Sequence, residues 1–245
     1  MSEAAHVVFG ATGGIGSALC RRLATGGARL TIAARDPERV GALAGELGAH
    51  GVALDATVAA DVERCVAEAV EHHGRLDGVA NCVGSLLLKS AHLTSEEEWA
   101  AVLATNLTSA FLVLRAAVRA MTRTGGSVVL VSSAAARLGL ANHEAIAAAK
   151  AGIQGLALSA AASYASRGIR VNAVAPGLVR TPLTARLTAN EASLKASTAL
   201  HALGRIGEPD DVASAIAWLL DPAQRWVTGQ IIGVDGGLAT VRSRG

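Results

Sequence analysis

Short apolar runs alternate along the chain with longer stretches in which apolar positions recur at helical spacing. His6–Gly10 (HVVFG) predicts a buried strand, and a helix should follow from about Gly14 to Thr25. Ala28–Ala34 (ARLTIAA) predicts a second strand, and Pro37 is well placed to open the next helix, where its missing N–H is no loss. Val52–Asp55, Leu76–Asn81, Gly126–Ser133, Gly168–Pro176 and Gly229–Gly237 supply five more strands. Helical patterns separate them, such as Val58–His73, Asn106–Met121 and Ile146–Tyr164. Seven strands alternating with helices imply an α/β fold, a doubly wound parallel sheet with right-handed crossovers. No linker or low-complexity segment divides residues 1–245, so one domain is expected.

Composition changes this picture little. At 245 residues the chain can bury a full core, although much of its 51% apolar content is alanine. The net charge of +2, without a run of like charges, argues against nucleic acid or an anionic membrane as the main partner. Cys20, Cys65 and Cys82 and the seven histidines show no metal-ligand spacing. His143-Glu144 begins like a zinc-binding HExxH, but Ala147 stands where the second histidine belongs, so no metal is expected. The few scattered cysteines fit a reducing compartment. No signal-peptide pattern precedes the first strand. The charge-free stretch 151–166 is broken by Gln154, Ser159 and Ser163 and reads as a buried helix. A cytoplasmic protein is expected.

The first strand leads directly into Gly10-Ala11-Thr12-Gly13-Gly14-Ile15-Gly16, which opens the first helix. Glycines suit a sharp turn that brings backbone close to a pyrophosphate, and the helix N-terminus offers N–H groups and partial positive charge. With Asn81–Gly84 (NCVG), the DAT at Asp55, the NLTSAF at Asn106 and the VSS ending at Ser133, the chain resembles the short-chain dehydrogenase/reductase family. The AKAG around Lys150, the IRVNAVAPG at Ile169, the LGRIGEPDDVA at Leu203 and the closing VTGQIIGVDGG extend the resemblance over nearly the whole chain. Within the family it is similar to 3-oxoacyl-carrier-protein reductases. The resemblance implies a Rossmann-type domain, a nicotinamide cofactor and hydride transfer on a small-molecule substrate.

Which nucleotide is preferred follows from charge. A carboxylate at the tip of the second strand would bond the ribose hydroxyls of NAD and repel a 2′-phosphate. Ala34 leaves that place neutral, and Arg35 offers a bidentate, charge-assisted contact to phosphate. NADP is therefore expected, with NAD the alternative; Asp36 and the glycine at position 13 weigh against the phosphate. The resemblance further implies that Asp55 and Ala56 meet the adenine, that Asn81 and Gly84 line the adenosine side, and that Val179 and Thr181, after Pro176-Gly177, hold the carboxamide. Thr12, Gly14, Ile15 and Gly16 belong to the pyrophosphate turn.

The family's chemistry rests on Asn, Ser, Tyr and Lys. Asn106, Ser133 and Lys150 match, and Lys150 also serves the cofactor, but the tyrosine position holds Ile146. Tyr164, the one tyrosine, lies about 27 Å further along the helix at ~1.5 Å per residue and cannot substitute. Loss of a general acid costs about 10²–10⁴-fold in rate. His143, one turn before Ile146, is a candidate replacement because imidazole titrates near neutrality. Glu144 sits on the opposite side and favours the helix N-terminus. Reduction of an activated C=C bond is an alternative, with Ser133 and Lys150 stabilising an enolate; some dienoyl-thioester reductases of the family also lack the tyrosine there.

The segment 181–207 is similar to the family's substrate lid, so an apolar substrate or acyl thioester is expected. Its leucines, Leu183, Leu187, Leu194 and Leu200, could face either an apolar substrate or the core, and packing into the core is the expectation, as such stripes usually pack. The small-residue helix faces suit the family's four-helix interface and a homotetramer. Two functions remain open: an oxidoreductase with an unconventional site, or a non-catalytic cofactor-binding subunit of a mixed tetramer.

Overall fold

The computed structural model describes residues 4–242; the first and last three residues of the expected 1–245 domain lie outside that range. All seven predicted strands form: β1 (Ala5–Phe9), β2 (Arg29–Ala34), β3 (His50–Ala53), β4 (Gly78–Asn81), β5 (Gly126–Val131), β6 (Ile169–Pro176) and β7 (Ile231–Val234). They make one parallel sheet in the order β3-β2-β1-β4-β5-β6-β7. The order reverses between β1 and β4, and such a switch point opens a crevice at the C-terminal strand ends.

Neighbouring strand residues face opposite sides of a sheet, so nearly continuous apolar strands serve two cores at once. Val7 and Phe9 of β1 join one apolar core, and Val8 joins the other. The first core packs helices α3 (Ala59–His73), α5 (Ser109–Met121) and α6 (Glu144–Tyr164). The second packs α1 (Gly14–Thr25), α2 (Pro37–Leu47) and α9 (Pro209–Leu220). The remaining helices are α4 (Glu96–Leu103), which packs against α6, and the adjacent pair α7 (Ala185–Ala189) and α8 (Glu191–Leu200). The segments Glu96–Met121 and Glu144–Arg167 are long and apolar enough to cross a membrane, but one face of each is buried in the core.

Three expectations need adjustment. β3 spans His50–Ala53 rather than Val52–Asp55, because Asp55 leaves the ladder and turns its carboxylate onto Thr57 N and Oγ1, at 2.9 and 2.8 Å. The helix expected to begin at Asn106 is preceded instead by a π-helical stretch, Ala104–Thr108, between α4 and α5. The lid leucines are corrected outright. No residue of α7 or α8 is buried, and Leu183 and Leu200 are 54% and 55% exposed. Leu187 and Leu194 are half-buried, and none of the four leucines joins either core.

Candidate active site

The glycine turn hangs on the end of β2, with Gly10 N and Ala11 N donating to Ala33 O at 2.8 and 3.2 Å. Gly10 has φ 72°, and a Cβ there would stand 2.7 Å from Cys82 C. A Cβ on Gly16 would run into the Gly10 carbonyl oxygen. Both positions therefore require glycine. Helix α1 follows Gly13 with no side-chain cap and no acidic residue in its first turn. By contrast, α2 and α4 each have a side-chain cap and first-turn acid. An uncapped N-terminus free of carboxylates is suited to an anion brought by a ligand.

Beside it lies a cleft of about 450 Å³, bordered by Gly10, Thr12, Arg35, Asp55, Ala56 and Gly84. Asp55 is held below its ordinary carboxylate range, first by hydrogen bonds from Thr57 and further by the Arg35 charge. Asn81 is buried and accepts from Val83 N at 3.2 Å, which fixes the turn leading to Gly84. Opposite, Pro176 ends β6, Gly177 follows, and Val179 is buried and bridged to Gly207. A Cβ on Gly14 would meet Thr181 Cγ2 at 2.7 Å, so the base of the lid closes directly over the glycine turn. An open helix end, a glycine cradle and a long cleft fit a dinucleotide. Ile15 packs partly against the second core rather than lining the cleft wall.

The charges at the adenosine end sharpen the expectation from sequence. Asp36 is occupied as the cap of α2, accepting from Glu38 N and Arg39 N at 3.0 and 3.2 Å. Arg35 is exposed on the cleft, next to the neutral Ala34. Arg39 also lines the cleft, with its guanidinium donating to Thr12 O at 2.5 Å. Sequence reasoning missed it, although its place in the first turn after Pro37 put it one turn from Arg35.

The reaction end is built around a buried lysine. Lys150 is 7% exposed, and its Nζ donates to Val131 O at 2.9 Å. Burial pushes its pKa down to about 8, with only a Cys82 thiolate acting the other way. Burial also pushes the Cys82 thiol up to about 12, so it stays protonated near neutrality and does not offset that effect. A Cβ on Gly84 would lie 3.2 Å from Asn106 Oδ1 and 3.5 Å from Lys150 Nζ, so the three positions converge. Asn106 is fully buried and donates to Ser85 Oγ and Val102 O at 2.9 and 3.0 Å, while accepting from Ser85 N. Its π-helical backbone turns it inward, a departure often met at functional sites.

Ser133 leaves β5 with its Oγ accepting from Ala135 N at 3.1 Å. Its neighbour Ser132, which sequence reasoning passed over, donates to Lys150 O at 2.8 Å and accepts from Gln154 Nε2 at 3.0 Å. Ser132 thereby ties α6 to β5 and fixes the lysine's height. Ser85 and Ser132 lie in the NCVGS and VSS segments, so adjacency to those motifs was the available signal.

Position 146 lies one helical turn from Lys150 but is filled by an apolar side chain, and His143 does not join the group. Ile146 is 4% exposed in a small apolar cluster with Val102, Ala145 and Ala149, flanked by Leu87, Leu103 and Leu107. His143 sits just outside α6, with Nδ1 2.7 Å from Ala141 O. It has no hydrogen bond or ion pair to Asn106, Ser133 or Lys150. Glu144 occupies the first turn of α6, as expected. Tyr164 ends that helix and borders a separate groove between α5 and α6. No cluster of three or more metal-ligating side chains occurs among the described residues.

Comparison with known proteins decides the family. A family model described as enoyl-(acyl carrier protein) reductase matches residues 10–239. The chain is 36% identical over 241 residues to the 3-oxoacyl-[acyl-carrier-protein] reductase of Homo sapiens, covering 96% of this chain and 97% of that one. It is 35% identical over 238 residues to a tropinone reductase homolog of Arabidopsis thaliana, covering 94% and 90%. The chain belongs to the short-chain dehydrogenase/reductase family. As a short-chain dehydrogenase/reductase it is an NAD(P)-dependent oxidoreductase. Among solved structures, a short-chain type dehydrogenase/reductase from Mycobacterium ulcerans superposes with a TM-score of 0.94 at 31% identity, covering 99% of this chain and 91% of that one. An actinorhodin polyketide ketoreductase crystallised with NADPH gives 0.92 at 31% identity, covering 98% of both.

Proposed function

We propose that this oxidoreductase uses NADP(H) and reduces, or in reverse forms, a carbonyl, imine or activated C=C group, at a site without the tyrosine acid. The observation that carries the cofactor preference is the pair of cleft-lining guanidiniums, Arg35 and Arg39, beside a neutral Ala34, with the adjacent carboxylate, Asp36, committed to capping α2. Two cations beside a neutral strand tip favour a 2′-phosphate. The α1 N-terminus would hold the pyrophosphate, Asp55 and Ala56 the adenine end, and Val179 and Thr181 the carboxamide end. When bound, the cofactor supplies the hydride. Asn106, Ser133 and Lys150 hold or move protons near the reacting oxygen, and the lid from Thr181 excludes water. The exposed lid leucines Leu183 and Leu200 support an apolar substrate or acyl thioester, in keeping with the names of several relatives.

Titration with NADPH and NADH tests the preference: NADPH should bind at least about tenfold tighter, and Arg35→Ala should remove most of that margin. Equal affinity, or tighter NADH, would sink the phosphate argument.

A homotetramer in the cytoplasm is the proposed working state. The support is a groove of about 420 Å³ between α5 and α6, lined in part by Phe111, 46% exposed, with Leu158 of α6 also exposed at 51%, and three free cysteines. A second reading, a non-catalytic subunit of a mixed tetramer, draws on Ile146 packed among leucines where a phenol is expected. Screening NADPH oxidation over ketones, imines and enoyl thioesters separates the two. Activity appearing only with a co-purified homologue would favour the second.

A further inference from the structure

No residue from Thr181 to Leu200 is buried, whereas His201, directly after them, is 4% exposed. It caps α8, and its Nδ1 lies 2.7 Å from Ser197 O, one of the last carbonyls of that helix. A carbonyl only accepts, so Nδ1 carries the ring proton. Nε2 is then an acceptor, and it takes the Leu178 N–H at 3.2 Å. A Cβ on Gly177 would stand 2.5 Å from Nε2, so the glycine after β6 is what lets the imidazole reach the backbone. Leu178 and Val179 are thereby tied to both ends of the two lid helices. At their start, Thr184 Oγ1 donates to Val179 O at 2.5 Å; at their end, His201 holds Leu178 N. The same stretch leads to Thr181, which closes over Gly14. The Leu178 carbonyl and the Arg180 N–H pair with Gly207, at 2.8 and 2.9 Å, so this arm stays attached to the fold if the imidazole is removed.

We propose that His201 is a positioning residue for the nicotinamide end of the cofactor: its imidazole fastens the end of α8 to Leu178 N and so fixes the arm from Leu178 to Thr181 over the glycine turn. The inference rests on the cofactor reading above, in which Val179 and Thr181 hold the carboxamide, and it names the side chain that sets their place. His201 does not border the adenosine end of the cleft, where Arg35, Arg39 and Asp55 lie. Its loss therefore acts on one end of the cofactor and spares the other.

Calorimetry with NADPH and with adenosine 2′,5′-bisphosphate, which carries the adenosine end alone, reads the two ends separately. His201→Leu removes the acceptor, so NADPH affinity should fall at least about tenfold while the bisphosphate binds within about twofold of the parent. In His201→Gln the amide oxygen can still accept from Leu178 N, and both affinities should stay within about threefold. Gly177→Ala, whose methyl would push the ring off Leu178 N, should copy His201→Leu and takes its place if leucine impairs folding. In the cofactor-free protein, trypsin should cut at Arg186 and Lys195, both exposed on the lid helices, at least about fivefold faster in His201→Leu. A smaller loss of NADPH affinity, an equal loss of both ligands, a glutamine variant as weak as the leucine one, or unchanged cleavage overturns the inference and leaves the cofactor reading standing. A parent protein that binds neither NADPH nor NADH overturns both.

Discussion

The half of the molecule built on β1, β2 and α1 and the half built on α4, α5, α6 and the lid make their sites by different means. The first uses backbone: a turn hung on Ala33 O, a helix end without a cap, and glycines whose added Cβ would strike Cys82 or Gly10. The second uses side chains: one lysine, one asparagine in a π-helical turn, two serines, and an isoleucine among leucines. A backbone site tolerates little change without losing its ligand. A side-chain site can lose one group, keep its shape, and change its chemistry. In the function proposed above, the glycine turn and its cleft hold the cofactor, and the unusual residue, Ile146, lies in the reaction half.

The sharpest way to break this contrast is Gly16→Ala. Its Cβ has no room beside the Gly10 carbonyl, so the turn must move, and NADPH affinity should fall at least about 100-fold with the fold retained by circular dichroism. Unchanged binding would show that the turn is not a backbone-dictated site.

A second test concerns the sheet beneath the turn. Burial pushes the pKa of His6, on β1, down to about 4 from its ordinary 6.5, against smaller opposing effects of Asp77 and Gly78. The folded state therefore prefers the neutral ring. This contribution is complete above about pH 6.5 and is lost as pH falls towards 4, by up to about 3 kcal/mol. Urea midpoints at pH 7 and 5 should separate by more in the parent than in His6→Leu. His73, lowered first by burial and then by His72, Arg29 and His50, shifts both proteins alike. Equal pH dependence in parent and variant would place His6 in a wetter site.

The smallest effect should come from the lid. Leu200→Ser should change stability by no more than about 0.5 kcal/mol, since Leu200 is 55% exposed. A loss of about 2–5 kcal/mol, as for a core leucine, would mean that the lid packs like the cofactor half.

The two halves were unequally legible in sequence. All seven strands, α1 and the glycine turn could be read because buried parallel strands and a strand-to-helix glycine run leave local signals. Asn106, Ser133 and Lys150 were found by motif, and the structure brings Asn106 and Lys150 together around Gly84. Arg39, Ser85 and Ser132 were missed because their importance depends on which distant backbone they reach: Thr12 O, the Asn106 side chain and Lys150 O. The lid leucines were misjudged because a helical apolar stripe does not reveal whether a core stands opposite it. The π-helical turn at Ala104–Thr108 has no period of its own in the sequence.

The central claim is that the reaction half lacks its phenol and little else, and Ile146→Tyr tests it most directly. Lys150 lies one helical turn away, and the larger ring must be accommodated beside Leu103 and Leu107, at a cost of about 1–3 kcal/mol. The variant should fold, bind NADPH, and reduce a simple ketone or acetoacetyl thioester at least about tenfold faster than the parent. The gain should disappear when Lys150→Met is added, because the phenol then returns towards its ordinary pKa of about 10. A folded, NADPH-binding Ile146→Tyr protein with no gain on any ketone would contradict the claim.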